Sequence, residues 1–277
     1  MTAVSEPLPP AALAFDSVAL DFDRRFGEWR SVLAQRTAVR RALVDAFPRG
    51  GRILELGGGT GEDAAWLAAR GYDVLHTDPS PRMVALAARK LESHPTAQTR
   101  VASAEALDVV AQELQSCGAP LFDGAFSNFA ALNCVTDLAA VGRGLARLVR
   151  PGGIVALVMF GPCAPGEFVV ELGRFRPRAA LRRFSRGAVP ARLGGHHFTV
   201  RYHRPGEIET AMAPWLRPVG RRGIGVFVPP SAAEPWISRH PRLLRILEAL
   251  DERAAMRLAL LGDHVLYCFE RTTMLPA

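Results

Sequence analysis

Three groups of side chains in this 277-residue chain have types and spacing that suit chemistry. The first is Glu55 with the glycines 57, 58, 59 and 61, and Asp78 standing 17 residues beyond Gly61. Glycine accepts positive φ and lets a ligand approach where a Cβ would block it. An apolar run that enters such a turn and then opens a helix therefore forms a ligand crevice. The second group is Ser103, Ala104 and Glu105, with Asn128, Phe129 and Asn133 after a later apolar run. The third comprises side chains able to take a proton: His196, His197, Tyr202, His203 and His264. On extended backbone His196 and His197 point in opposite directions, so at most one of them faces a pocket.

The spacing narrows the ligand. A dinucleotide site sets G-x-G-x-x-G after its first strand so that a pyrophosphate meets the helix N-terminus. Here the glycines read G-x-G-x-G from Gly57, and Glu55 lies just upstream. A carboxylate there repels a pyrophosphate and suits a cationic ligand, held directly or through water. S-adenosylmethionine carries a sulfonium and an ammonium and has no phosphate. Asp78, just after a second strand, can accept hydrogen bonds from both ribose hydroxyls. Residues 103–105 follow a third strand, where an adenine would lie.

The elements that must position these groups follow from hydrophobic periodicity. Residues 15–47 read as amphipathic helix, and 48–51 break it. Strands are then expected at 52–56, 72–77, 99–102, 122–127 and 154–160, alternating with helices at 62–70, 80–91, 107–114 and 138–149. Ser80 and Pro81 cap and open the second of these helices. The rhythm fails over 161–204, an Arg-, Pro- and Gly-rich segment with a helical stretch at 167–184 and a strand at 197–203. A helix at 206–215, a strand at 222–228, a helix at 241–260 and a last strand at 264–271 complete the pattern. Strand–helix alternation means a parallel sheet with helices on both faces. The expected fold is α/β, with a Rossmann-like, mostly parallel seven-stranded sheet and an antiparallel last strand. It is read as one domain over 1–277: an N-terminal helical cap (1–49), a core (50–160 and 205–277) and an insertion (161–204) over the site.

Composition sets the bounds. The 49% apolar and 22% charged residues are ordinary for a globular protein. No apolar run approaches the roughly 20 residues of a membrane span, and residues 1–10 lack an export signal, so a cytoplasmic protein is expected. The four cysteines are scattered and none lies at zinc-ligand spacing, so no metal is expected. The net charge is +7, and Lys90 is the single lysine. Arginines cluster at 174, 176, 178, 182, 183, 186 and 192, where they suit a solvated surface, an anionic small molecule or nucleic acid.

Five motifs in order, LELGGGTG (54–61), HTDPSPRM (76–83), VASAEAL (101–107), FDGAFSNFAALN (122–133) and LVRPGG (148–153), resemble those of the class I S-adenosylmethionine-dependent methyltransferases. FDSVALDFDRRF (15–26) is similar to the family's segment that closes over the cofactor, and HVLYCFER (264–271) to its last strand. The resemblance implies S-adenosyl-L-methionine as cofactor. Glu55, Gly57, Gly58, Gly59 and Gly61 would surround its methionine part, and Asp78 with Pro79 its ribose. Met83 would pack near the adenine. Ser103 stands where many members have Asp, leaving Ala104 or Glu105 to meet the adenine amino group. Asn128 and Phe129 would meet the cofactor's amino acid end, and Phe22 stands where Tyr is common.

Methyl transfer from a sulfonium is an in-line displacement that asks the protein for alignment and dryness. A general base is needed only where the acceptor arrives protonated. The candidates are His196, His197 and His264, with Asn133 able to orient an acceptor. The expected acceptor is a small molecule (a secondary metabolite, quinone-like compound or lipid), and an anionic one would suit the arginines. An RNA or protein acceptor, or a non-catalytic cofactor-binding partner protein, is the alternative reading. Nothing in the sequence indicates an oligomeric state.

Overall fold

The computed structural model describes residues 8–185 and 187–273. Residues 1–7 of the proline-rich start, Arg186 of the arginine cluster and residues 274–277 lie outside the described residues. Three helices, α1 (Pro10–Ser17), α2 (Ala19–Phe26) and α3 (Arg30–Ala46), come first. The core then alternates β1 (Arg52–Leu56), α4 (Glu62–Ala68), β2 (Asp73–Asp78), α5 (Pro81–Leu91), β3 (Gln98–Val101), α6 (Leu107–Ser116), β4 (Phe122–Ser127), α7 (Leu138–Leu148) and β5 (Val149–Phe160). Next come α8 (Pro165–Gly173), α9 (Pro177–Ala180), β6 (Ala188–Leu193), β7 (His196–Arg201), α10 (Pro205–Met212), β8 (Leu216–Ile224), α11 (Pro241–Ala254) and β9 (His264–Arg271).

The seven-stranded sheet has the order β3-β2-β1-β4-β5-β9-β8. β1 pairs in parallel with β2 and β4, and β4 with β5, while β9 runs antiparallel to both β5 and β8. The period-two rule is visible in β5. Val155, Leu157 and Met159 pack with Leu107, Val141, Leu145 and Ile208 on one face, and Ala156 and Val158 with Val39, Leu43 and Leu67 on the other. Both faces are covered, which is why these strands read as nearly continuous apolar runs. Each fully buried Leu or Val stabilises the core by about 1.5–3 kcal/mol. Ser80 Oγ accepts the Met83 N–H at 3.1 Å and caps α5 ahead of Pro81. Among the described residues, no helix is long and apolar enough to cross a membrane.

Three expectations are corrected. The helix read over 15–47 is three helices, interrupted at Val18 and at residues 27–29, because tertiary contacts of Asp16 and Asp23 hold the first two on the sheet's rim. The strand read at 222–228 is β8 at Leu216–Ile224. It is an edge strand, where Pro218, Gly220 and solvated arginines are tolerated, and these hide its alternation. The strand read at 197–203 is half of an antiparallel hairpin, β6–β7, preceded by two short helices instead of one running 167–184.

Close packing of α6 against α7 rests on Gly144, where an added Cβ would collide with the Cβ of buried Leu107. Gly144→Ala is expected to lose about 1–3 kcal/mol of unfolding free energy, despite the better helix propensity of alanine, in urea titrations followed by circular dichroism.

Candidate functional site

The carboxyl ends of β1, β2, β4 and β5 meet where the sheet order reverses, between β1 and β4. In open α/β sheets this is the crevice that receives ligands. The glycine turn is held there at two successive points of β2: Gly58 N–H donates to the Thr77 carbonyl at 3.1 Å, and Gly59 N–H to Asp78 Oδ2 at 2.9 Å. Gly57, Gly59 and Gly61 all have positive φ. A Cβ on Gly57 would come 2.6 Å from Ala131, whereas one on Gly59 would point into open space, so that backbone is free to meet a ligand.

Asp78 Oδ1 accepts the Ser80 N–H at 2.8 Å, so each carboxylate oxygen keeps a lone pair for a further donor. Burial pushes the Asp78 carboxyl above its ordinary range, with the Ser80 and Gly59 amides partly opposing. Pro79 is half-buried beside it, and Met83 lies buried on α5.

Glu55 is placed differently from the reading that set it against the ligand. It is 1% exposed, and its Oε2 lies 2.7 Å from Nδ1 of His76, which is fully buried on β2. Glu55 therefore supports the turn from beneath. Glu105 also turns away: its Oε1 accepts from Thr136 N (2.9 Å), Thr136 Oγ1 (2.6 Å) and Asp137 N (2.8 Å), tying the segment after β3 to the start of α7. Ser103 is half-buried, and its Oγ accepts the Glu105 N–H at 3.3 Å; Ala104 is buried.

After β4 the backbone is strained, with Phe129 at φ 48° and Ala130 at φ 58°. Non-glycine residues in this region cost about 1–3 kcal/mol each and persist where surroundings over-determine them. Asn128 does part of that: its Oδ1 accepts its neighbour's Phe129 N–H (2.8 Å), and its Nδ2 donates to Asp63 Oδ2 (2.8 Å). Asp63 also accepts from Arg36 Nη1 (2.6 Å) and Arg40 Nε (2.7 Å). Burial raises the Asp63 carboxyl, but the two arginines and Asn128 outweigh it and hold it below the usual range. The Asn128 side chain is thus committed to the fold, while the Phe129 ring lies under the Arg36 guanidinium, 4.6 Å from its centroid.

The four catalytic candidates fall in three places: Asn133 after β4, His196 and His197 on the β6–β7 hairpin, and His264 at the start of β9. Asn133 is 1% exposed; its Nδ2 donates to the Arg201 carbonyl (2.6 Å) and its Oδ1 accepts from Phe160 N (3.0 Å), so it fastens β7 to β5. His196 and His197 sit on β7, half-buried and exposed, opposite Leu193 and Arg192 of the hairpin. His264 begins β9 opposite Phe160 of β5. Its ring stacks on Phe160 (5.1 Å between centroids) and meets Phe129 edge-on (5.9 Å). Its Nδ1 lies 3.3 Å from Asp263 Oδ2, and Nε2 has no hydrogen-bond partner among the described residues.

Asp263 is the hub behind it. Arg183 Nη2 reaches its Oδ1 at 2.5 Å and Gln35 Nε2 its Oδ2 at 3.3 Å. Arg183 also donates through Nε to Glu167 (2.5 Å) and through Nη1 to the carbonyls of Gly161 (2.9 Å) and Asp263 (2.6 Å). Arg182 pairs with Glu167, and Arg174 and Arg176 stand 3.9 and 4.0 Å from Glu171. Four arginines of the cluster therefore face carboxylates of this same segment rather than a clamp site.

The N-terminal helices close the rim. Asp16 Oδ1 accepts from Ser80 Oγ (2.8 Å) and Arg82 N (2.9 Å), and Asp23 accepts from Thr60 Oγ1 (2.6 Å) and Lys90 Nζ (2.7 Å). Phe15 meets Phe198 of the hairpin at 5.9 Å, and Phe22 stacks obliquely on Phe26 at 4.9 Å. Asp16, Asp23, Asp63, His76 and Asp263 escaped the sequence reading, which met Lys90 only as the single lysine and Arg183 only as one of the clustered arginines.

Comparison with known proteins bears on this geometry. Residues 53–153 match the family described as a methyltransferase domain. The tRNA 5-carboxymethoxyuridine methyltransferase of Escherichia coli K12 is 29% identical over 150 residues, which is 53% of this chain. The chain thus spans 56% of the length of that curated relative. The CcbJ methyltransferase of Streptomyces caelestis superposes with a TM-score of 0.59 at 16% identity, over 94% of this chain and 98% of that one. Geranyl diphosphate C-methyltransferase of Streptomyces coelicolor A3(2), crystallised with S-adenosyl-L-homocysteine, gives 0.51 at 17% identity, over 86% and 79%. At these identities the two structures share the fold with this chain.

Burial raises the Asp263 carboxyl, but His264, then Arg183 and Gln35, pull it well below its ordinary 3.8. Its stabilising effect is therefore full above pH about 4 and fades as pH falls toward the depressed folded value. Asp263→Asn is expected to cost about 3–5 kcal/mol at pH 7, and the gap from wild type in urea titrations should narrow at pH 3 and below.

Proposed function

The chain belongs to the class I S-adenosylmethionine-dependent methyltransferases, and we propose that it methylates a small-molecule oxygen or nitrogen that arrives protonated, with His264 taking the proton. The residues fit S-adenosylmethionine on this structure's own terms. Gly59 presents backbone with open space where a Cβ would stand, and Asp78 has carboxylate lone pairs left for ribose hydroxyls. No phosphate-binding group is needed, and Glu55 beneath the turn keeps the region unsuited to one. Gly57, Gly58, Gly59 and Gly61 with Asp78, Pro79 and Met83 would hold the cofactor, and Ser103 and Ala104 would border its adenine. When bound, the cofactor supplies an electrophilic methyl group on sulfur.

The chain's own residues account for the rest. His264 Nδ1 stands 3.3 Å from Asp263 Oδ2, and on this reading the carboxylate favours the tautomer with the proton on Nδ1, leaving Nε2 as the base. Asp263 is itself held by Arg183, and the imidazole is stacked on Phe160. Phe160 and Phe129 flank the His264 ring, and Tyr202 lies behind Phe160 at 5.3 Å; this aromatic wall suits a planar acceptor. The single observation that carries the reading is the Asp263–His264 pair at the end of β9, beside the strained Phe129 turn.

Small size is supported by the roof. The β6–β7 hairpin packs on α1 through Phe198 and Phe15, and Gly194 at its tip lies against Ser17. On this reading the insertion 161–204 is a substrate lid. Because Arg183 is buried against Glu167 and Asp263, it is not free to clamp an anionic acceptor. The tRNA reading has its own support: the E. coli relative acts, by its name, on tRNA, and the net charge here is +7.

The test uses labelled methyl transfer from S-adenosylmethionine into a metabolite extract, bulk tRNA and protein. Label in the extract alone supports the proposal, while label in tRNA alone would replace it with the tRNA reading. With the acceptor in hand, His264→Ala is expected to lower kcat/KM by about 10²–10⁴-fold while His196→Ala and His197→Ala stay near wild type. A His264→Ala enzyme of wild-type rate would remove the base from the mechanism.

A further inference from the structure

We propose that His76 is a positioning residue, paired with Glu55 to form the buried platform on which the cofactor-binding glycine turn rests; this builds on the cofactor reading above. The two residues are direct register partners on β1 and β2, so both side chains leave the sheet on the face that carries α4. Nδ1 and Oε2 are 2.7 Å apart, with the imidazole fully buried and the carboxylate 1% exposed. The turn lies on this pair without clearance: a Cβ on Gly58 would collide with both the Glu55 carboxylate and His76 Nδ1.

The two residues that follow His76 in β2 are those that grip the turn. Thr77 offers its carbonyl to Gly58 N–H, and Asp78 its carboxylate to Gly59 N–H. Thr77 Oγ1 donates in turn to the Glu55 carbonyl at 2.7 Å, which closes a loop of contacts among β1, β2 and the turn. A displaced His76 ring therefore moves the height of Gly58 and the aim of Asp78 together. Among the described residues His76 Nε2 has no hydrogen-bond partner, and Glu55 supplies the side-chain hydrogen bond that holds the ring at Nδ1. The charged groups that face the pair from packed elements are Asp78 on β2, Asp63 on α4 and Arg36 on α3.

Physical asymmetry supplies the test. Removing one member of a buried pair strands the other, while replacing both by apolar groups of similar volume leaves little unsatisfied. Three variants are compared with wild type: His76→Leu, His76→Gln and the double variant Glu55→Met/His76→Leu. The readouts are the Kd for S-adenosylhomocysteine by titration calorimetry, the KM for S-adenosylmethionine, kcat, and folding by circular dichroism.

His76→Leu is expected to raise the cofactor Kd and KM about tenfold or more, with kcat at saturation and the acceptor KM within about twofold. His76→Gln, whose amide still donates to Glu55, and the double variant should recover most of that loss. A folded His76→Leu protein with wild-type Kd, or a loss that neither His76→Gln nor the double variant recovers, would overturn the positioning role alone. Wild-type protein that fails to bind S-adenosylhomocysteine would instead overturn the cofactor reading, and the positioning role with it.

Discussion

A side chain at residue 58 would have to occupy the space of the Glu55 carboxylate and the His76 imidazole, and one at residue 57 would press into Ala131. The turn after β1 is therefore bare backbone, lodged between the ends of β2 and β4. Its amides reach β2, its positive φ angles direct it into α4, and Gly59 is left facing open space. Much of what lines the crevice is arranged around that path. β2 provides the grip, α4 carries Asp63 into the interior, and the α1 and α2 carboxylates bind to Ser80 and Thr60 beside it.

Two buried carboxylates, Asp63 and Asp263, are each satisfied by several donors. Asp63 joins α3, α4 and the turn after β4; Asp263 joins α3, the arginine-rich segment and β9. Each lies where several elements meet, and each is held ionised by more than one donor, the condition under which a buried charge is tolerated. The arginines that accompany them, Arg36, Arg40 and Arg183, have planar forks suited to sharing several acceptors. A composition that reads as a basic surface thus conceals part of its charge in the fold.

Strain and rigidity meet at the end of β4. Phe129 and Ala130 adopt left-handed backbone without being glycine, held by the Asn128 side chain and by the Ala130 N–H donating to the Val158 carbonyl at 3.0 Å. The consequence is a Phe129 ring set between Arg36 and His264. The turn thus brings a residue just after β4 against the first residue of β9, two strands away in the sheet.

The amino-acid sequence by itself determined the parallel core, because hydrophobic runs of strand and helix length alternate there and glycine, proline and serine mark their ends. It also singled out the glycine turn and Asp78, since few residue types tolerate such a backbone and a carboxylate at the end of a second strand has few uses. Tertiary structure alone decided what Glu55, Glu105, Asn128 and Asn133 do. Each is a polar residue in a suggestive place whose side chain turns to a partner far away in sequence: His76, residues 136–137, Asp63, and the Phe160 and Arg201 backbone. The same holds for His264, one histidine among several until Phe160, Phe129 and Asp263 meet its ring. A buried polar group is committed by whichever partner reaches it, and that is settled by three-dimensional packing rather than by residue type or spacing.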